Sequence, residues 1–195
     1  MGDRTVQKRK YIVEKAKSVF GKNGYRVVTM KDIVDVCEIS RGGLYLYFAS
    51  TKALFEAVLE EEHARRAAVL EAVMAKGTTP GEQLLLYLDE QKKTILKKKD
   101  NLTAATYEYL FENNFTAKNN PVKKQFDEEA AVLAHLIAEG VAQEWMDCED
   151  AAEAARNILY TLEGLKVSAR VMGMTAERVD REIAYIMGTL GMVVK

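Results

Sequence analysis

The sequence predicts an all-α protein of about nine helices. Its 195 residues include only two prolines, and apolar residues recur three and four positions apart along most of the chain, which is the spacing of one helix face. Both prolines follow a residue that can cap a helix, in the pairs Thr79-Pro80 and Asn120-Pro121. Because proline is favoured at the first helical position, each pair predicts a helix start.

Residues that end or cap a helix predict the limits of the first two helices. A one-sided apolar pattern predicts a helix over about residues 5–22, which Asn23-Gly24 ends because glycine accepts the left-handed conformation. Thr29 is expected to cap a second helix, with Asp32 as its capping-box partner.

Two serines and a series of later signals predict the remaining helices. Ser40 is expected to cap a short third helix, and Ser50 a longer one that begins near Thr51. The later helices are expected over about 80–99, from a cap at Asp100 through Phe111, and over about 121–145, 149–172 and 175–190.

The segment 29–55 carries the clearest functional pattern. Two short predicted helices joined by a tight turn form a helix-turn-helix, which presents its second helix to the major groove of DNA. That second helix reads Ser-Arg-Gly-Gly-Leu-Tyr-Leu-Tyr-Phe over residues 40–48. Together with Thr29-Met30-x-Asp32-Ile33 and Ala53-Leu54-Phe55, it closely resembles the TetR/AcrR family of transcriptional repressors over about residues 8–56.

The resemblance implies a set of DNA-facing residues. Arg41 is the candidate for pairing with a guanine edge, because its guanidinium can donate to two acceptors. Tyr45 would meet a phosphate or a thymine methyl group, and the Tyr47 hydroxyl would meet a phosphate; the alternative is that either ring is a half-buried packing residue. The DNA-facing residues expected are Thr29, Ser40, Arg41, Gly43, Tyr45, Tyr47 and Lys52.

Three positions depart from the family pattern. Gly43 replaces a threonine or asparagine and loses a side-chain contact, and Lys52 stands one residue later than the usual lysine. Glu38 stands where the turn usually has glycine. If that turn requires a positive φ, a side chain there costs about 1–2 kcal/mol.

The charge distribution agrees with a small DNA-binding head. Residues 1–52 carry 11 basic and 5 acidic side chains, whereas the rest of the chain carries 17 and 24. A basic segment beside an acidic one is typical of a nucleic-acid-binding module attached to a body that does not contact DNA. We therefore expect a DNA-binding domain at residues 1–48 and a ligand-binding and dimerisation domain at residues 49–195.

The resemblance implies that the body binds a small-molecule effector. Aromatic side chains with polar tips are suited to lining such a pocket, although each could equally fill a helical core. A DNA-binding scaffold protein without a ligand cavity is the alternative function. The candidate ligand residues are Tyr87, Tyr107, Phe111, His135 and Trp145, of which His135 is also explained as a core or surface residue.

The last two predicted helices each carry an apolar face. Two such faces from each of two chains would form a four-helix interface, and Gly164 and Gly188 would allow close approach. A homodimer could bind a palindromic operator in double-stranded DNA. The alternative is packing onto the chain's own body. The candidate interface residues are Leu159, Leu162, Leu165, Ile183, Ile186, Met187 and Leu190.

Other functions lack support in the sequence. There is no phosphate-binding loop, dinucleotide fingerprint or zinc-ligand spacing, so we expect no enzyme activity, no cofactor and no metal. Cys37 and Cys148 are far apart, as expected for packed thiols in a reducing compartment. No apolar run is long enough for a signal peptide or a membrane span, so a cytoplasmic protein is expected.

Overall fold

The computed structural model describes residues 3–76, 79–99 and 101–192, and across these ranges the regular secondary structure is helical. The all-α prediction is confirmed for this part of the chain. The helices are α1 (Asp3–Asn23), α2 (Met30–Cys37), α3 (Arg41–Tyr45), α4 (Thr51–Lys76), α5 (Pro80–Leu96), α6 (Thr103–Glu112), α7 (Pro121–Ala142), α8 (Ala151–Val171) and α9 (Ala176–Thr189).

Helix starts follow the predicted caps. The backbone N–H of Glu82 donates to Thr79 Oγ1 at 3.2 Å, and Asn120 Oδ1 accepts the N–H groups at the start of α7. Each such cap is worth about 1 kcal/mol of helix stability. The predicted cap Asp100 lies outside the described residues. Helix α6 begins at Thr103, whose N–H donates to Asn101 Oδ1 at 2.9 Å.

Helix α7 ends before its predicted end at Trp145. Glu144 adopts φ +61°, in the left-handed region, and the Gly140 carbonyl accepts the N–H of Trp145 at 2.8 Å and that of Met146 at 3.2 Å. This hydrogen bonding closes the last turn and redirects the chain. Helix α5 likewise ends at Leu96 rather than near Lys99.

The chain divides into two compact units. The first unit contains Met1–Arg66 and Lys97–Asn114. It is larger than the predicted head at residues 1–48, because Phe55 of α4 and Tyr109 of α6 fill its core beside Phe20. The Phe55 ring centroid lies 4.7 Å from that of Phe20 and 5.2 Å from that of Tyr109.

The second unit contains Ala67–Leu96 and Phe115–Lys195. Helices α5, α7, α8 and α9 supply most of its apolar core. Each fully buried leucine or isoleucine in such a core contributes about 1.5–3 kcal/mol. Within the described ranges, each helix is too short or too polar to serve as a membrane span. The fully buried core residues include Leu84, Leu88, Leu133, Ile137 and Leu162.

Candidate nucleic-acid interface

Helix α2 begins with the predicted capping box. The Asp32 N–H donates to Thr29 Oγ1 at 3.4 Å, and the Thr29 backbone N–H donates to Asp32 Oδ2 at 2.8 Å. The Thr29 hydroxyl also donates to Asp32 Oδ2, at 2.7 Å. These hydrogen bonds from Thr29 lower the pKa of the Asp32 carboxyl group.

This geometry bears on the expectation that Thr29 contacts DNA. Both its amide and its hydroxyl donate to the Asp32 carboxylate, so both donors are already engaged within the chain. The resemblance to the family had placed Thr29 among the DNA-facing residues. A contact between Thr29 and DNA therefore requires that one of these hydrogen bonds is exchanged, and it stays a prediction.

The turn after α2 does require a positive φ. Glu38 adopts φ 52° and ψ 44°, and its backbone N–H donates to the Val34 carbonyl to close the helix. A residue with a Cβ atom pays about 1–2 kcal/mol in this region. The turn therefore keeps the geometry that usually selects glycine, at a cost in stability.

Helix α3 is a short helix that Ser40 caps. Ser40 Oγ accepts the N–H of Gly43 at 3.0 Å, which confirms the predicted cap. A Cβ atom on Gly43 would lie 3.0 Å from the same oxygen, which is a tight contact. Gly43 therefore fits its position closely, and any contact that it makes with DNA is through its backbone.

Burial alternates along α3 and the turn after it. Leu44 and Phe48 are buried and anchor the helix, while Arg41 and Tyr45 are exposed and Tyr47 is half-buried. The Arg41 guanidinium carbon lies 5.7 Å from the centroid of the Tyr45 ring. Because a cation is attracted to the face of an aromatic ring, this contact orients the guanidinium on the outer surface of α3.

An open groove of about 640 Å³ runs beside these side chains. It joins α2, α3 and the first residue of α4, so it combines the first helix of the motif with the outer face of the second. Such a groove places charged and aromatic groups where a nucleic-acid strand can reach them. The residues that line it are Val28, Thr29, Met30, Lys31, Val34, Asp35, Arg41, Tyr45 and Thr51.

Leu46 is a candidate contact that the sequence analysis missed. Its side chain is 85% exposed between Tyr45 and Tyr47, although leucine is usually buried. A signal for it existed, because Leu46 lies between the buried anchors Leu44 and Phe48 and so points away from them. An exposed apolar group here is suited to contact a thymine methyl group.

Two basic side chains of α1 lie against aromatic rings, and these contacts orient them. The Arg9 guanidinium carbon lies 5.2 Å from the Phe48 ring centroid, and Lys8 Nζ lies 4.9 Å from the Tyr11 ring centroid. Both residues belong to α1 and not to an extended arm. Lys52 is exposed in the first turn of α4, where its predicted phosphate contact stays a prediction.

The predicted ligand residues are divided between the two units. Tyr107 and Phe111 belong to the first unit, whereas Tyr87, His135 and Trp145 belong to the second. Only Tyr87 is fully buried. The His135 side chain is 77% exposed and lies 3.6 Å from Glu139 on its own helix. His135 is thus a surface residue, which was the alternative left open for it.

The residues predicted for the dimer interface lie in or against the core of the second unit. All but one of the seven are buried in the core of the second unit, and the remaining residue, Ile183, packs against that core. They therefore pack largely within their own chain, which was the alternative left open for them, and a dimer contact through them stays a prediction. The seven residues concerned are Leu159, Leu162, Leu165, Ile183, Ile186, Met187 and Leu190.

The buried anchors and the exposed outer face of α3 define the class of this protein, which is a helix-turn-helix DNA-binding protein with a helical body. Residues 12–58 match the family model of the bacterial regulatory proteins of the tetR family. Residues 83–180 match the tetracyclin repressor-like C-terminal domain. The chain belongs to the TetR family of transcriptional regulators.

Individual relatives agree with this assignment. The uncharacterized HTH-type transcriptional regulator YfiR of Bacillus subtilis (strain 168) is 31% identical over 160 residues, which are 79% of this chain and 76% of YfiR. The HTH-type transcriptional repressor KstR of Mycobacterium tuberculosis is 26% identical over 69% of this chain and 60% of KstR. A TetR transcription regulator from Haloarcula marismortui has the same fold, with a TM-score of 0.83 and 19% identity over 95% of this chain and 98% of that one.

Proposed function

We propose that this regulator is a homodimeric repressor that acts in the cytoplasm, binds a palindromic operator through α3, and releases it when a small molecule binds the second unit. The observation that carries the proposal is the division of α3 and the turn after it into a buried and an exposed face. Leu44 and Phe48 hold the helix from inside, while Arg41, Tyr45 and Leu46 are displayed outside. Display of this kind is what a helix needs to reach base edges in the major groove.

The candidate DNA-facing residues divide into two proposed roles. Arg41 and Leu46 would contact base edges and give sequence preference, whereas Tyr47 and Lys52 would contact phosphates and fix the position of the head on the duplex. The excess of basic residues over 1–52 supplies the salt-dependent attraction that nonspecific binding requires.

A second copy of the chain is the proposed partner of the exposed faces of α8 and α9. Tyr160 is 64% exposed and Tyr185 is 74% exposed, and Val171 and Met172 are also exposed apolar residues. A Cβ atom on Gly164 would meet nothing within 4 Å, and the same holds for Gly188. Large exposed apolar side chains beside open glycines favour close approach of a partner helix, and two-fold symmetry would match a palindromic site.

The release step is proposed as a shift of population. A ligand that binds more tightly to one conformation of the dimer favours that conformation. If the two copies of α3 then no longer match successive major grooves, the affinity for the operator falls. Helix α4 contributes residues to both units, so it is the proposed link. The relative KstR is itself described as a transcriptional repressor.

Selection of bound sequences from random duplex DNA with the full-length protein tests the DNA-binding part. We expect a palindromic site with half-sites about one helical turn apart, about 34 Å. Sedimentation of the complex should give two chains for each duplex. A non-palindromic site bound by a monomer would contradict the proposal.

Fluorescence anisotropy of the selected operator then tests the ligand part against a panel of metabolites. We expect at least one compound to weaken operator binding about tenfold or more, which corresponds to a typical allosteric coupling energy. Unchanged operator affinity across the panel would instead support the scaffold protein without a ligand cavity.

A further inference from the structure

A small cluster of polar side chains lies at the edge of the core of the second unit, where Tyr87 and Gln91 are buried and Glu129 is half-buried. Tyr87 and Gln91 lie one turn apart on α5, and Glu129 faces them from α7. The Tyr87 hydroxyl donates to Glu129 Oε1 at 2.7 Å, and Gln91 Nε2 donates to the same oxygen at 3.3 Å. Polar groups that are placed among apolar core residues are costly unless their hydrogen bonds are complete.

One atom of this cluster lacks a hydrogen bond. Gln91 is 8% exposed, and its Oε1 atom is buried without a hydrogen-bond partner among the described residues. Native structures contain few such atoms, and each calls for an explanation such as a bound group. A ligand that donates a hydrogen bond to Gln91 Oε1 would remove the deficit.

The charge of the cluster specifies the ligand further. Glu129 accepts from both neighbours and has no lysine, arginine or histidine partner within the described ranges, whereas nearby Asp127 pairs with Lys123 and Arg156. The hydrogen of the Tyr87 hydroxyl is already donated, so the cluster presents acceptors and one negative charge. A complementary ligand must therefore donate hydrogen bonds and carry positive charge.

The surroundings specify the rest of the ligand. Leu84 and Leu88 on α5 and Ala130 and Leu133 on α7 flank the cluster and are buried in the apolar core. We propose that Tyr87, Gln91 and Glu129 recognise the effector, and that the effector is a lipophilic ammonium compound. This inference rests on the proposed function, because it specifies the ligand that the second unit senses.

Calorimetric titration of the full-length protein with matched amphiphiles tests the inference. The probes are decylammonium and phenylbutylammonium, each with the alcohol and the carboxylate of the same carbon skeleton. We expect both ammonium probes to bind at least about tenfold more tightly than their neutral and anionic counterparts, as a charge-assisted hydrogen bond predicts.

Two variants of α7 localise the effect. Glu129→Gln keeps an acceptor for Tyr87 but removes the charge, and it should reduce the affinity for the ammonium probes to that for the alcohols. Glu128→Gln is the matched control, because it removes the same charge from an exposed neighbour, and it should leave probe binding unchanged. Gln91→Leu should also weaken ammonium binding, with a smaller loss.

Three results would overturn the inference: equal binding of carboxylate and ammonium probes, equal losses in the Glu128 and Glu129 variants, or no binding of any probe by the unmodified protein. The proposed function fails in a different way. If decylammonium binds at Glu129 but leaves the operator affinity unchanged, the recognition cluster stands and release by a ligand is contradicted. If another metabolite releases the operator while these probes do not bind, release by a ligand stands and the proposed recognition of an ammonium compound is contradicted.

Discussion

Glu108 on α6 holds the loop between α1 and α2 through the backbone of Tyr25. Its Oε2 atom accepts the Tyr25 N–H at 2.7 Å and the Arg26 N–H at 3.0 Å. The same carboxylate leaves no space beside Gly24, where a Cβ atom would lie 2.7 Å from Glu108 Oε2. Helix α6, which follows the predicted DNA-binding head in sequence, is thus hydrogen-bonded directly to the loop that leads into α2.

Removal of the Glu108 carboxylate should destabilise the first unit. Hydrogen bonds to a charged acceptor are worth about 1.5–3 kcal/mol each. The bond that the exposed Arg26 N–H donates contributes less. We therefore expect Glu108→Ala to lower the free energy of unfolding by about 2 kcal/mol. Urea unfolding measures the change. Glu112→Ala is the control, since its pair with Arg26, 3.2 Å apart, is exposed on both sides. Such a pair is worth about 0–1 kcal/mol. Equal costs in both variants would contradict the role of Glu108.

Replacement of Glu38 by glycine should stabilise the protein. The left-handed conformation costs a side chain about 1–2 kcal/mol, whereas glycine loses about 0.5–1 kcal/mol more backbone entropy on folding. A net gain of about 0.5–1 kcal/mol should therefore appear as a higher urea midpoint. Glu38→Ala separates backbone strain from the loss of charge, because alanine keeps the Cβ atom and should give no gain. An equal gain in stability in both variants would indicate that the loss of the charge, and not the relief of backbone strain, causes the effect.

Substitutions on the outer face of α3 should separate base contacts from phosphate contacts. Arg41→Ala should cost about 1–3 kcal/mol on the selected operator and relax preference at one base pair. Tyr47→Phe should weaken all duplexes by a similar factor, because a phosphate contact carries no sequence information. Anisotropy with a set of single-base operator variants measures both effects. Unchanged binding by the two variants would remove these assignments.

Leu46→Ala provides a finer test of the same face. If its side chain contacts a thymine methyl group, the variant should lose affinity for the selected operator. The variant should also bind the operator with thymine and the operator with uracil at that position with the same affinity, because it no longer contacts the methyl group. The folded state should be unaffected, because an 85% exposed side chain contributes little to the core. A loss of thermal stability would indicate instead that Leu46 supports the turn.

The two cysteines should differ in reactivity. Burial raises the pKa of the Cys37 thiol, and Cys37 is almost fully buried, whereas Cys148 is half-buried. Because the thiolate is the reactive form, iodoacetamide near pH 8 should modify Cys148 first, and Cys37 only as the protein unfolds. Mass spectrometry of timed samples gives the order. The raised pKa stabilises the folded state below the ordinary thiol pKa of about 8.5, and this contribution is lost as the pH rises above it.

A charge on the exposed face of α9 should dissociate the proposed dimer. Tyr185→Glu would place a carboxylate where we propose that a second chain packs, so sedimentation should show monomers with unchanged helical content. Glu177→Lys, which changes charge near the exposed start of the same helix, is the control and should remain dimeric. A dimeric Tyr185 variant would exclude this face.

Helix starts were predictable because they depend on neighbouring residues. The caps at Thr29, Ser40 and Asn120 each join a side chain to a backbone amide two or three residues later, so the local sequence contains the whole interaction. The same local pattern also determines that both donors of Thr29 are occupied, because Asp32 accepts hydrogen bonds from them.

The roles of apolar faces were less predictable, because periodicity identifies an apolar face but not its partner. Leu159 and Leu162 satisfy the pattern of a dimer face equally well and are buried in their own chain. Tyr160, the neighbour of Leu159 in sequence, is instead 64% exposed. The Tyr87–Glu129 hydrogen bond spans 42 positions in sequence, so only the folded structure could bring the two residues together.

The position of Tyr109 affects how this regulator can be divided. Its ring is almost fully buried against Tyr25 and Phe55, and its hydroxyl donates to Glu56 at 2.8 Å. A fragment that stops at Arg66 would uncover those rings and leave a polar glutamate beside them. Chimeric regulators that exchange sensing bodies between relatives should therefore transfer α6 with the head, as two separate stretches of sequence, rather than join the chains at a single crossover.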